Sequence, residues 1–96
     1  MNQNIVAEIY TKPSCPYCVK AKKVLERHGI EVEERIVGQD ATKEDIQAIV
    51  DRLGVDATVK TVPQIFFHTT TNAGSIEYIG GCDDLIKYLG GDGRSQ

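Results

Sequence analysis

The chain has 96 residues, 41% of them hydrophobic and 26% charged, with a formal net charge of -3. That length suits one domain around one modest core. The mild acidity excludes the basic field that nucleic-acid binding needs, and no apolar run approaches the ~20 residues of a membrane span.

Met1-Asn2-Gln3-Asn4 has no basic segment leading into an apolar one, so it does not read as a secretory signal. A cytoplasmic setting with reduced thiols is the expectation, and three cysteines make no paired disulfide framework. Ile5 to Thr11 is apolar and rich in β-formers. Such a run suits a central strand covered on both faces. Pro16 to His28 reads as a helix closed by Gly29. Ala21, Val24, Leu25 and His28 lie roughly along one face with Cys18, and Lys20, Lys23 and Arg27 lie on the other. The basic stripe is either a solvated helix face or a means of steering anionic substrates. His28 reads as a capping or core residue at the negative end of the helix dipole.

Ile30 to Val37 alternates in part and predicts a half-exposed edge strand. Strand, helix and strand in that order imply a parallel pair joined by a right-handed crossover. Thr42-Lys43-Glu44-Asp45 resembles a capping box. Ile46, Ile49, Val50 and Leu53 then mark an amphipathic helix that Gly54 ends. Val55 to Lys60 is a connector without firm pattern. Thr61 to His68 predicts a third strand entered through Pro63, and Ser75 to Ile79 a fourth. The two form an antiparallel hairpin across a polar turn, with His68 a surface residue. Cys82 to Leu89 predicts a last helix, with Asp83 and Asp84 in its first turn. Residues 1–90 are the expected domain and 91–96 a flexible tail.

Chemistry concentrates where the first strand hands over to the first helix, at Lys12-Pro13-Ser14-Cys15-Pro16-Tyr17-Cys18. Cys15 is the natural N-cap, and Pro16 falls at the first helical position, where a missing N–H costs nothing. The N–H groups of Tyr17 and Cys18, the helix dipole and Lys12 all favour a thiolate at Cys15. Cys18 lies one turn deeper, close enough to close a small disulfide ring. The expected chemistry is thiol–disulfide exchange, with Cys15 as nucleophile and Cys18 as resolving thiol. A structural zinc site would need two further ligands at metal spacing, and Cys82, His28 and His68 each stand alone.

Three motifs together resemble the dithiol glutaredoxins of the thioredoxin superfamily. They are Thr11-Lys12-Pro13-Ser14-Cys15-Pro16-Tyr17-Cys18, Thr61-Val62-Pro63 and Gly80-Gly81-Cys82-Asp83-Asp84-Leu85. Thioredoxins usually carry Gly-Pro between the cysteines and a tryptophan before the first, and this chain has no tryptophan. The resemblance implies an α/β thioredoxin fold: a four-stranded mixed sheet of order 2-1-3-4, flanked by helices. It implies a cis bond before Pro63 and a glutathione groove beside Cys15. There Tyr17 would flank the sulfur and the Thr61-Val62-Pro63 backbone would pair with the cysteine of glutathione. The helix start at Gly81, Cys82 and Asp83 would take the γ-glutamyl group, and Lys12 and Gln47 the glycine carboxylate.

The activity implied is glutathione-dependent reduction of protein disulfides and protein–glutathione mixed disulfides. Glutathione is the co-substrate, no cofactor is tightly bound, and the protein is a monomer. Oxidised or glutathionylated proteins are the partners, with ribonucleotide reductase a family-level candidate. Two alternatives differ in class: a carrier whose iron–sulfur cluster is ligated by Cys15 and glutathione, and a thioredoxin-like protein reduced by a flavoprotein. Pro16 departs from the usual carrier pattern. The connector 54–60 and the hairpin loop 69–74 both look longer than in the family, which leaves the alignment of Gln47 open.

Overall fold

β1 (Ile5–Thr11) is the strand on which the sheet is built. In the computed structural model, which describes residues 5–69 and 75–91, it pairs on both sides. β2 (Glu31–Ile36) runs parallel to it, from Val6 opposite Glu31 to Thr11 opposite Ile36. β3 (Gln64–Thr69) runs antiparallel to it, from Ile5 opposite Thr69 to Tyr10 opposite Gln64. β4 (Ile76–Gly80) pairs antiparallel with β3, and the register shifts between Ile65 and Phe66. The sheet order is therefore β2-β1-β3-β4, the thioredoxin arrangement that the motifs imply. The tip of the expected hairpin loop and the tail beyond Gly91 lie outside the described residues, although Thr69 N–H still bonds Ser75 O at 2.9 Å.

Three helices cover the sheet: α1 (Pro16–Arg27), α2 (Lys43–Arg52) and α3 (Cys82–Leu89). One face of β1 carries Ala7 and Ile9. They join Val24 and Leu25 of α1, Leu85 of α3, and Ile65 and Phe67 of β3 in one apolar cluster. The other face carries Tyr10, which meets Ile46 and Val50 of α2, Phe66 of β3 and Val59 of the connector. Burial on both faces explains the near-continuous apolar run of β1. Among the described residues no helix is long and apolar enough to cross a membrane.

The caps follow the sequence. His28 is the C-cap of α1, and Gly29 follows at φ +72°, a left-handed conformation that glycine adopts without a Cβ penalty. The Thr42 hydroxyl accepts from Asp45 N–H at 3.1 Å, and the Asp45 carboxylate accepts from Thr42 N–H at 2.9 Å. That reciprocal pair is a capping box with Asp at its third position.

Two expectations need correction. The third strand begins at Gln64 rather than Thr61, because Pro63 has no N–H to give to a ladder and Thr61–Pro63 bends ahead of it. His68 is not simply a surface residue. It is half-buried, and its Nε2 lies 2.8 Å from Glu8 Oε1. Glu8 itself, only 8% exposed, also bonds Arg35 of β2 and the Tyr10 hydroxyl. Burial alone would raise the Glu8 carboxyl. The bonds from Arg35, His68 and Tyr10 outweigh it and hold the group below its ordinary value.

Candidate redox site at the start of α1

The turn after β1 delivers Cys15 to the N-cap of α1. Ser14 adopts φ +60° just before it, and Pro16 opens the helix. Cys18 N–H donates to Cys15 Sγ at 3.2 Å. Of the two N–H groups expected at this sulfur, the Cys18 amide is the one that reaches it. Cys15 is half-buried, while Cys18 is 2% exposed. Burial, reinforced by its hydrogen bond to Cys15, pushes the Cys18 thiol up to about 12. The two sulfurs of one motif thus occupy unlike surroundings. One meets solvent beside a helix N-terminus, and the other is kept protonated in the core. Cys15, Cys18 and Cys82 are all free thiols.

The Val62–Pro63 peptide is cis, and the Cys15 thiol donates to Val62 O at 3.9 Å. A groove of about 210 Å³ runs from here between two walls. Tyr17, 61% exposed, and Thr61-Val62-Pro63 form the first. Gly81, Cys82 and Asp83 form the second, at the start of α3. The walls approach closely: a Cβ placed on Gly81 would sit 3.6 Å from Pro63 O. Seven of the residues expected at a ligand groove are therefore gathered beside Cys15. Cys82, 5% exposed, is more buried than its neighbours, and burial pushes its thiol up. Asp83 is exposed.

Asp84, one residue on, has a role that the sequence reading did not assign. Its carboxylate accepts from Gly81 N–H at 3.1 Å and so caps α3. Gly80 must leave room for it. At φ +113°, a Cβ on Gly80 would lie 2.5 Å from Asp84 Oδ2. The acid three residues beyond the N-cap was the available signal for this role.

Two expected residues lie elsewhere. Lys12 is exposed and lines a second, larger hollow of about 510 Å³ on the β2 side of Cys15, beside Lys22 and Glu34. Gln47 sits on α2, with its side-chain amide bonded to the connector at Ala57 O and Val59 N–H. Neither residue is among those that line the smaller groove. Among the described residues, no group of three or more His, Cys, Asp or Glu side chains is placed to hold a metal ion.

Residues 7–70 match the glutaredoxin family model. The chain belongs to the glutaredoxin family. Glutaredoxin 1 of Rickettsia typhi is 40% identical over 96 residues, covering 98% of this chain and 81% of that protein. A hybrid peroxiredoxin of Haemophilus influenzae is 42% identical over 81 residues, which are 84% of this chain but only 28% of that protein's length. Glutaredoxin 1 from Francisella tularensis, solved as a cacodylate complex, superposes with a TM-score of 0.66 at 32% identity, covering 90% of this chain and 93% of that one. Membership of this family makes the chain a thiol–disulfide oxidoreductase.

Proposed function

We propose that this glutaredoxin is a glutathione-dependent reductant of protein–glutathione mixed disulfides and of protein disulfides, acting through Cys15 and Cys18. The observation that carries the reading is the placement of Cys15 Sγ. It receives the Cys18 N–H and lies against the carbonyl of Val62, a residue that lines the groove walled by a second helix N-terminus. Backbone N–H groups there and the dipole of α3 suit the γ-glutamyl carboxylate. Asp83 is assigned the α-ammonium, and Lys12 the glycine carboxylate. The Val62 backbone offers strand-like pairing to the cysteine of glutathione.

On a mixed disulfide, the Cys15 thiolate attacks the glutathione sulfur. The Cys15–glutathione bond forms as the protein–glutathione bond breaks, and the protein thiolate leaves and takes a proton. A second glutathione thiolate then attacks the bound glutathione sulfur. Glutathione disulfide departs and Cys15 is restored. One free glutathione is consumed for each mixed disulfide reduced, and it leaves joined to the glutathione that came from the substrate. On a disulfide within a protein, Cys15 becomes linked to the substrate. Cys18 must attack the Cys15 sulfur, and its proton passes to the departing thiolate. Two glutathiones then reduce the Cys15–Cys18 disulfide.

Cys15→Ser and Cys18→Ser, assayed on a glutathionylated peptide and on a protein disulfide, separate these steps. Cys15→Ser abolishes both activities. Cys18→Ser keeps deglutathionylation and loses nearly all reduction of the protein disulfide. A folded Cys18→Ser protein without deglutathionylation would overturn the roles given to the two thiols.

A further inference from the structure

We infer that Gln47 is a positioning residue for the glutathione groove. It holds the connector that leads into Thr61-Val62-Pro63 and makes no contact with glutathione itself. The inference rests on the glutathione-dependent reading above.

The first wall of the groove has little support of its own. Among the described residues, the chain from Asp56 to Pro63 makes no backbone–backbone hydrogen bond. Buried backbone groups need partners, and here side chains provide them. Gln47 Nε2 donates to Ala57 O at 2.9 Å, and Gln47 Oε1 accepts from Val59 N–H at 2.7 Å. One side-chain amide thereby serves the connector as a neighbouring strand residue would. The bond to Val59 keeps that side chain, 8% exposed, seated in the cluster of Ile46 and Val50. Thr61 follows two residues later. The far end of the wall is tied in the same manner: Gln64 Nε2 donates to Thr61 O at 2.8 Å, and the Tyr78 hydroxyl donates to Gln64 Oε1 at 2.6 Å.

The amide of Gln47 is also fully engaged. Its Nε2 donates a second time, to Asp51 Oδ1 at 3.0 Å. A carboxylate only accepts, so Asp51 fixes which end of the amide is nitrogen and turns the oxygen to Val59. Both amide hydrogens are then spent, and none remains for a glycine carboxylate. The residue expected to bind the ligand instead fixes a wall that binds it.

The test compares glutathione with γ-glutamylcysteine amide, which keeps the γ-glutamyl and cysteine groups and lacks the glycine. Gln47→Ala raises KM for both thiols by a similar factor, about three- to tenfold, as expected for the partial loss of two hydrogen bonds. It leaves kcat within about twofold, because the sulfurs are not displaced. Amide exchange at Val59 quickens in the same variant. Gln47→Met, which fills the space without bonding the connector, gives the same pattern and stands in if the alanine variant does not fold. A penalty seen with glutathione and absent with γ-glutamylcysteine amide would mean that Gln47 grips the glycine end, and would overturn the inference. An unchanged KM for both thiols would overturn it as well. A wild-type protein without glutathione turnover would overturn the underlying function, and that is seen before any variant is compared.

Discussion

The two faces of the sheet are finished by different means. The face under α1 and α3 closes with apolar side chains from Ala7 to Leu85. The opposite face has one helix, α2, and its apolar cluster is smaller. Where that cluster ends, Glu8 is buried on the central strand. Arg35 from β2 and His68 from β3 close over it. Two helices supply enough apolar surface to cover one face of four short strands. One helix does not, and the remainder is completed by a charge network that must be satisfied atom by atom.

Three substitutions probe this contrast, and the largest effect belongs to the apolar face. Leu25→Ala removes a fully buried side chain and destabilises by about 2–5 kcal/mol. Urea unfolding gives the same difference at pH 7 and pH 4, since no ionised group is involved. A strong pH dependence would mean that the two faces are not independent.

On the polar face, Glu8→Gln loses the charge that Arg35 and His68 share. The cost is about 2–3 kcal/mol, less than the ~3–5 of a fully buried pair, because both partners keep some solvent. Here the effect depends on pH. The folded carboxyl titrates below its ordinary value of 4.5, so the stabilisation is fully present above that value. It is lost as pH falls through the lowered folded value, where wild type and variant converge. A gap that stayed constant into acid would remove the ionic account of this face.

The smallest effect lies at the rim of the apolar face, where Lys22 Nζ meets Glu34 Oε1 at 3.0 Å with both side chains about one-third exposed. Lys22→Ala costs about 0–1 kcal/mol, and added salt erases the difference. A larger cost that persists in salt would show that this rim is structurally coupled to the core.

The contrast also explains what was legible in the sequence. Apolar spacing in α1 and α2, the Cys15 cap and the Thr42–Asp45 box are local patterns, and each appears where the residues place it. Parallel pairing of β1 and β2 follows from the crossover. The full strand order and the cis bond at Pro63 came from the resemblance to glutaredoxins. The charge network of Glu8, by contrast, has no local signature, because Arg35 and His68 lie 27 and 60 residues away. No local pattern links them. Gln47, which the resemblance places at the glycine carboxylate, has its partners in a connector without periodicity, so its tie to Ala57 and Val59 is equally hidden. Strand geometry moved the start of β3 to Gln64, which a β-rich string beginning at Thr61 did not reveal.

At the other wall of the groove, Gly80 leaves the space that the Asp84 carboxyl fills. A side chain at position 80 would meet the Asp84 carboxyl at 2.5 Å, in a backbone conformation that side chains rarely adopt. Shortening residue 84 would relieve only the collision, and it would give up the cap on Gly81 in doing so. The backbone strain would remain. A side chain at position 80 is therefore barred twice, by the Asp84 carboxyl and by its own backbone conformation, while Asp84 is held by its cap on Gly81. The exposed Asp83 between them is subject to neither constraint, of packing or of capping.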